Sequence, residues 1–287
     1  MTESFPEILS DVGSLRTRLT QWRRAGETIA LVPTMGALHE GHLALVRAAQ
    51  GAARRILLSI FVNPTQFAAG EDFSAYPRPL EADAAQFAEA GGNLIFAPDV
   101  AQIYPPDFAT RVTLEGPAAA GLEDRFRPTH FSGVATVVAK LINLARADIA
   151  VFGEKDYQQL KVVTRMARDL DFETNIVAVP TVREEDGLAL SSRNVYLSPA
   201  ERAKAPRLYA ALRQCAFEIE SGIGLKPALA AAWRSLTEAG FLIDYCEARH
   251  AESLAPIQSI EEGPIRLLAA AKLGRTRLID NLAVRAG

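Results

Sequence analysis

Five short apolar runs, spaced along the first two-thirds of the chain, constrain its fold more than any other feature. The runs are apolar throughout instead of alternating with polar residues, as expected for strands buried on both faces of a parallel sheet. They are Thr28–Thr34, Ile56–Asn63, Asn93–Pro98, Ile149–Gly153 and Asn175–Val182. Segments with apolar residues three and four positions apart lie between them, at Leu43–Arg55, Leu80–Ala90 and Val134–Ala145. This alternation predicts an α/β fold with a doubly wound parallel sheet.

The pattern changes after about Thr181. A helical stretch begins at Ser198-Pro199, with Ser as N-cap and Pro at the first helical position, and runs to about Glu220. A second helix reaches about Ala239, and three strands are predicted after it, at Phe241–Ala248, Ile265–Lys272 and Arg277–Val284. Only short turns separate the last two strands, which favours antiparallel pairing. We therefore predict two domains, a Rossmann-like domain over 1–181 and a smaller C-terminal α+β lid over 182–287.

Charge and cysteine content narrow the class of function. The chain has 31 basic and 34 acidic residues and a formal charge of −3, without the cationic surplus of a nucleic-acid-binding surface. Cys215 and Cys246 form neither a zinc-ligand spacing nor a disulfide framework, which favours the cytoplasm. The apolar runs are shorter than the ~20 residues of a membrane span, and the first residues lack a signal pattern. We expect neither nucleic acid nor a membrane as a partner.

The segment PTMGALHEGHL, Pro33–Leu43, follows the first predicted strand and leads into the first helix of that sheet. Ligands of open α/β sheets bind at this position. Gly41 lets a phosphate approach the backbone, and His39 and His42 can donate hydrogen bonds to its oxygens. A zinc site is disfavoured, because a metalloprotease helix needs HExxH and this segment reads HEGH.

Neither a P-loop nor a dinucleotide fingerprint occurs in the chain, so ATP, if bound, must be bound by HxGH. This motif is typical of nucleotidyltransferases and class I aminoacyl-tRNA synthetases, which cleave between the α- and β-phosphates. The segment FVNPTQF follows the second strand, and its Asn63 and Gln66 carry amides that suit a hydroxy acid.

Two further polar segments complete the candidate site. In FGEKDYQQL, Lys155 offers a cation to a phosphate, Asp156 can accept from a ribose hydroxyl, and Gln159 can reach a small polar substrate. In LSSRNVYL, two hydroxyls and a guanidinium can close on a triphosphate. They belong to Ser191, Ser192 and Arg193.

Together with YPR at Tyr76–Arg78 and HFSGV at His130–Val134, these segments resemble the pantothenate synthetase (pantoate–β-alanine ligase) family, in order, over residues 5 to 285. The resemblance implies the HxGH nucleotidyltransferase type of Rossmann-like sheet. It implies a ligase that consumes ATP, forms pantoyl adenylate from pantoate, and couples it to β-alanine to give pantothenate, AMP and pyrophosphate. Magnesium and a homodimer follow from the same resemblance.

The resemblance also assigns roles residue by residue. His39, His42, Lys155 and Arg193 are expected to be catalytic. The expected ATP-binding residues are Pro33, Met35, His39, Gly41, His42, Phe152, Gly153, Lys155, Asp156, Ser191, Ser192 and Arg193. The expected pantoate-binding residues are Met35, Asn63, Gln66 and Gln159. Asp83 and Gln86 are expected near magnesium, although Ala82 stands where relatives usually have a second adjacent acid. Arg127 and His130 match family positions near the cleft without an assigned role.

Three alternatives remain at this point. Another HxGH nucleotidyltransferase would join a nucleotide to a phosphorylated small molecule. A class I aminoacyl-tRNA synthetase is disfavoured by the acidic charge and the absence of an evident tRNA-binding appendage. An inactive nucleotide-binding module would be free to lose cleft residues, whereas this chain keeps both histidines, Lys155 and Arg193.

Overall fold

A computed structural model describes residues 5–68, 71 and 73–285. Nine strands are described: β1 Glu7–Leu9, β2 Ile29–Thr34, β3 Arg55–Ile60, β4 Leu94–Phe96, β5 Ile149–Gly153, β6 Asn175–Val179, β7 Leu242–His250, β8 Ile265–Leu273 and β9 Thr276–Val284. The described α-helices are α1 Val12–Arg24, α2 Glu40–Gln50, α3 Leu80–Glu89, α4 Val100–Ile103, α5 Glu123–Phe126, α6 His130–Ala145, α7 Tyr157–Asp169, α8 Pro199–Lys204, α9 Arg207–Glu220 and α10 Leu225–Glu238.

The first six strands form one sheet in the order β1-β4-β3-β2-β5-β6, and every pair is parallel. Side chains from alternate positions of the strands pack with α2 and α3 in one apolar cluster that includes Val32, Leu58 and Phe87. The intervening residues, such as Leu31 and Leu57, point to the opposite face and are also buried. Burial on both faces explains the uniformly apolar runs, and the predicted doubly wound sheet is confirmed.

The last three strands form a separate antiparallel sheet in the order β7-β8-β9. Helices α9 and α10 contribute Leu212, Cys215 and Leu236 to the apolar cluster that covers this sheet. The predicted C-terminal α+β region is thereby confirmed in its fold.

One local prediction was wrong, and one strand was missed. The helix predicted from Ser198 to Glu220 is interrupted between α8 and α9, because Pro206 has no N–H to continue it and instead precedes the first residue of α9. Strand β1 was not predicted, since it is only three residues long and pairs at the sheet edge with β4.

Contacts between Cα atoms divide the chain into two compact units. The first contains the chain up to Glu154 together with Gln159–Pro180, and the second contains Lys155–Gln158 together with the chain from Thr181. The short segment Lys155–Gln158 therefore groups with the C-terminal sheet, although it directly follows β5. Among the described residues, no helix combines the length and apolarity needed to cross a membrane.

Candidate active site

The turn between β2 and α2 is fixed by the two histidines of the HxGH motif. His39 is the N-cap residue of α2, and its Nδ1 accepts a hydrogen bond from the Gly41 N–H at 3.1 Å. His42 is the third residue of the helix, and its Nδ1 accepts from the His39 N–H at 3.3 Å. This is a reciprocal capping box in which imidazoles take the places usually held by Ser or Thr and Glu.

The capping bonds define the proton positions on both rings. An Nδ1 that accepts a hydrogen bond carries no proton, so the neutral form of each imidazole has its proton on Nε2. The rings of His39 and His42 lie 4.1 Å apart between centroids, at 35° to each other. The arrangement presents two neutral N–H donors side by side at a helix N-terminus, where the helix dipole favours an anion.

A buried carboxylate holds the turn that leads into this cap. The Oδ2 of Asp83 accepts from the Ala37 N–H at 2.9 Å, and its Oδ1 accepts from the Leu38 N–H at 2.7 Å. Gly36 has a φ of +82°, and a Cβ at this position would lie 2.9 Å from the Asp83 carboxylate. The turn thus requires glycine at 36 and an acceptor with two oxygens at 83.

These contacts do not support the predicted magnesium role of Asp83 and Gln86. Asp83 is 1% exposed, and both of its oxygens bind backbone N–H groups. Burial raises the pKa of this carboxyl, and the two backbone hydrogen bonds only partly offset that rise. Gln86 lies half-buried on α3. Within the described part of the chain, no three His, Cys, Asp or Glu side chains form a group that could hold a metal.

Asn63 organises the polar loop after β3. It is 1% exposed, and its Oδ1 accepts from Thr65 and from the Tyr104 hydroxyl at 2.9 Å. Its Nδ2 donates to the Gln66 Oε1 at 3.0 Å. The Gln66 Nε2 lies 3.2 Å from the Met35 Sδ, which follows β2. The structure therefore brings Met35, Asn63 and Gln66 together. Gln66 is half-buried, and Asn63 is fully buried beside it.

Arg127 and His130, which had no assigned role, hold the main chain of this loop. The His130 Nδ1 donates to the Gln66 carbonyl at 2.9 Å, and Arg127 donates to the same carbonyl at 3.2 Å. Arg127 also forms a two-point ion pair with Glu71. Burial acts to raise the pKa of Glu71, but the hydrogen bonds and charge of Arg127 outweigh it and lower that pKa.

A close backbone contact explains why the HFSGV segment has a glycine at position 133. A Cβ at this position of α6 would lie 2.4 Å from the Thr65 carbonyl oxygen, so the helix and the loop touch backbone to backbone. The Gly133 carbonyl accepts from the Asn63 Nδ2 at 3.2 Å. No periodicity or motif pointed to Tyr104, whose contribution depends on a contact 41 positions away from Asn63.

The remaining predicted residues of the first unit lie at the carboxyl ends of its strands or just beyond. Pro33 is on β2, and Phe152 and Gly153 end β5, which is the neighbour of β2 in the sheet. Gln159 is half-buried in the first turns of α7.

The predicted residues of the second unit lie in two segments. The Lys155 Nζ is 3.9 Å from an oxygen of the neighbouring Asp156, and the Lys155 carbonyl binds the C-terminal sheet. The Ser191 Oγ accepts from the Arg193 N–H at 3.3 Å and thereby begins a short 3₁₀ turn over Ser192–Tyr196. Ser191, Ser192 and Arg193 are half-buried.

Comparison with known proteins gives a family match over nearly the whole chain. The model of the pantoate-beta-alanine ligase family matches residues 7–283. A pantothenate synthetase from Nitrobacter winogradskyi is 59% identical over 279 residues, which cover 97% of this chain and 99% of that protein. One from Rhodopseudomonas palustris strain HaA2 is 57% identical with the same coverage.

Solved structures agree with the sequence relatives. Pantothenate synthetase from Thermus thermophilus superposes with a TM-score of 0.92 at 49% identity, covering 98% of this chain and all of that chain. A pantoate-beta-alanine ligase from Francisella tularensis, complexed with beta-gamma ATP and beta-alanine, has a TM-score of 0.82 at 31% identity, covering 98% and 99%.

Proposed function

The chain belongs to the pantoate–beta-alanine ligase family, and on that premise we propose that it forms pantoyl adenylate from ATP and pantoate and passes the pantoyl group to β-alanine. The products are then pantothenate, AMP and pyrophosphate. Family membership favours this reaction over the other HxGH enzymes considered above, and over an inactive nucleotide-binding module.

The observation that carries the proposal is the pair of imidazoles at the start of α2. Because the backbone N–H groups of Gly41 and His39 bind the two Nδ1 atoms, the neutral rings donate through Nε2. Two such donors at a helix N-terminus suit the phosphates of ATP. The Francisella relative is complexed with beta-gamma ATP, which supports ATP as the ligand. Gly41, between the histidines, leaves room for a phosphate oxygen near the backbone.

The residues of the second unit supply the positive charge. We assign Lys155 to the α-phosphate and Arg193, with Ser191 and Ser192, to the β- and γ-phosphates, and Asp156 to the ribose. A guanidinium matches phosphate oxygens at two points, whereas an ammonium acts as a compact charge that can follow the reacting group. Pro33, Met35, Phe152 and Gly153 would line the nucleotide site.

Pantoate is assigned to the amide-bearing loop after β3. Gln66 and Gln159 would bind it directly, next to Met35. Asn63 would act from beneath, because it is buried and its hydrogen bonds hold Gln66 in place. An uncharged amide both donates and accepts, which suits a ligand with a carboxylate and two hydroxyls.

The first step is an in-line attack by a pantoate carboxylate oxygen on the α-phosphorus of ATP. A new P–O bond forms, the bond to the bridging oxygen breaks, and pyrophosphate leaves with the electron pair. A carboxylate is ionised at neutral pH, so the step requires no side-chain base, and catalysis consists of positioning and neutralising charge.

In the second step the neutral amine of β-alanine attacks the acyl carbon of the adenylate. The C–O bond to the phosphate breaks, AMP leaves, and the nitrogen loses a proton. The mixed anhydride is sensitive to water, which gives a reason for a C-terminal lid, the role we propose for residues 182–287.

Magnesium fits these residues poorly as a protein-bound ion. Asp83 is buried with both oxygens engaged, and among the described residues nothing else completes a metal-binding group. We therefore assign it no step; an ion that accompanies the nucleotide would rely on phosphate oxygens and water.

We also propose a homodimer in the cytoplasm. Both cysteines are free and buried, and burial raises their thiol pKa values to about 12, which fits a protein that makes no use of disulfides. The homodimer rests on the family resemblance. Light scattering that gives the mass of one chain would contradict it.

Product analysis tests the function. With ATP, magnesium, pantoate and β-alanine we expect AMP and pyrophosphate in equal amounts, and labelled pyrophosphate should enter ATP when pantoate is present without β-alanine. Formation of ADP, or exchange that requires β-alanine, would contradict the adenylate.

A further inference from the structure

The segment that carries Lys155 is bound to the C-terminal sheet by a buried amide. The Asn281 Nδ2, on β9, donates to the Lys155 carbonyl at 2.9 Å, across 126 positions of sequence. Asn281 is 3% exposed, so water competes little for this hydrogen bond.

Arg266 fixes the direction of that amide. Its Nε, on β8, donates to the Asn281 Oδ1 at 2.7 Å. An arginine can only donate and a carbonyl can only accept, so the oxygen of the amide must face Arg266 and its NH₂ must face Lys155. These two hydrogen bonds therefore fix the orientation of the Asn281 amide.

Arg266 reaches the same segment a second time. Its guanidinium lies 4.0 Å above the ring centroid of Tyr157, and the Tyr157 hydroxyl donates to the Ala251 carbonyl at 3.1 Å. Arg266 and Tyr157 are both less than 10% exposed. Lys155 and Tyr157, on either side of Asp156, are thus each held by the C-terminal sheet.

We propose that Asn281, oriented by Arg266, is a positioning residue for Lys155 in the adenylation step. The inference rests on the role proposed above for Lys155. A buried side chain with two fixed partners holds the backbone of the lysine, so the ammonium extends from an anchored point instead of from a mobile loop. Such anchoring matters because a shift of about 1 Å in a catalytic group lowers the rate by as much as ~10²-fold.

A double-mutant cycle on pantoate-dependent exchange of pyrophosphate into ATP tests this proposal. Asn281→Asp keeps the oxygen that faces Arg266 and replaces the donor to Lys155 with a second oxygen. We expect it to lower the exchange rate by about 10- to 100-fold in the wild-type background. In the Lys155→Ala background the same change should lower the rate by less than about threefold, because the positioned group is gone.

Asp244→Asn provides the matched control. It is also an isosteric exchange on the C-terminal sheet, and it weakens the Asp244–Arg277 ion pair of 2.7 Å, to which Lys155 does not belong. Its effect on exchange should be small and the same in both backgrounds. Thermal unfolding of each variant identifies any that fail to fold, in which case Arg266→Met, which removes the Nε donor and keeps an apolar stem, replaces Asn281→Asp in the cycle.

Equal loss from Asn281→Asp in both backgrounds would overturn the proposal, since it would show that Asn281 acts on the fold alone. A Lys155→Ala variant that exchanges at the wild-type rate would overturn it too, by removing the role of the lysine. Failure of the proposed reaction itself is distinguishable, because the wild-type protein would then show no pantoate-dependent exchange.

Discussion

The HxGH turn and the Lys155 segment are both held by specific hydrogen bonds. The partners are close in sequence at the HxGH turn and far apart in sequence at the Lys155 segment. At the HxGH turn, His39 and His42 fix each other through hydrogen bonds that span three positions. At the Lys155 segment, the anchoring amide lies 126 positions away on another sheet. Local order is visible as a motif, whereas order imposed from a distance leaves no pattern near the residue that depends on it.

The largest effect should come from separating the two functions of the histidine pair. His39→Asp keeps a strong N-cap, and His42→Glu keeps the reciprocal contact of a capping box, while neither carboxylate can donate a hydrogen bond in place of the imidazole Nε2. We expect adenylation to fall by about 10²- to 10³-fold, the usual effect of losing one donor to developing charge. Pre-steady-state pyrophosphate release measures this, with thermal unfolding as the check on the cap.

His42→Ala is the informative companion, because it removes both the donor and the cap. It should lose the same activity and, in addition, about 1 kcal/mol of unfolding free energy. Release of pyrophosphate at the wild-type rate by His42→Glu would show that the His42 imidazole serves the helix and not the nucleotide.

Asp83→Asn tests a case between the two, because the HxGH turn is local but Asp83, which holds it, is distant in sequence. Asp83 lies 46 positions from Ala37 and 45 positions from Leu38. An asparagine can satisfy only one of the two N–H groups, and its NH₂ would face the other. We expect a loss of about 1–3 kcal/mol of unfolding free energy, and about 10- to 100-fold slower adenylation as the turn shifts. Recovery of activity when magnesium is raised would instead favour the metal role.

Gly133→Ala tests the long-range contact beneath Gln66. Its Cβ would lie 2.4 Å from the Thr65 carbonyl oxygen, so α6 and the loop must separate. Overpacking of this kind lowers the unfolding free energy by about 1–3 kcal/mol. We expect a KM for pantoate raised several-fold and a KM for ATP unchanged; the reverse pattern would argue against a pantoate loop. Gly51→Ala, whose added Cβ would be no closer than 3.5 Å to any atom, serves as the control.

The smallest effect should be a dependence on pH through the Glu71–Arg127 pair. Since the pKa of Glu71 is lowered in the folded protein, the pair stabilises fully above the ordinary value of 4.5, and this stabilisation is lost as the pH falls through the folded pKa. The loss is about 1 kcal/mol or less for a partly exposed pair. Glu71→Gln should lower stability at pH 6 and leave it almost unchanged well below pH 4.5, as measured by urea unfolding.

Much of the fold could be predicted from the sequence, because the central strands are buried on both faces of the sheet. Residues 29–33, 56–58 and 149–152, in the runs that became β2, β3 and β5, are apolar at every position, as is typical of strands buried on both faces of a parallel sheet. The features that were not predicted have a weaker sequence signal. Strand β1 is largely exposed and pairs on one side only. Pro206 interrupts a segment whose other residues favour one continuous helix.

The candidate site, like the fold, could be predicted from the sequence only in part. Residues at strand ends and in the HxGH turn could be named, because sheets of this class bind ligands there. The sequence could not show that Asn63 is buried, that Asp83 binds backbone N–H groups, or that Tyr104 contacts Asn63 and Asn281 contacts Lys155. Each of these features depends on contacts between distant segments. The roles of the named residues remain predictions.

The capping contacts of His39 and His42 also limit which substitutions this site can accept, apart from the phosphate-binding role proposed for them. A descendant that no longer used ATP would still have to begin α2, and few side chains satisfy the backbone N–H groups at that start. We expect such a chain to carry Asn, Asp or Ser at position 39 and Glu or Gln at position 42. The residues at positions 39 and 42 would then distinguish relatives that no longer use ATP from relatives that still do.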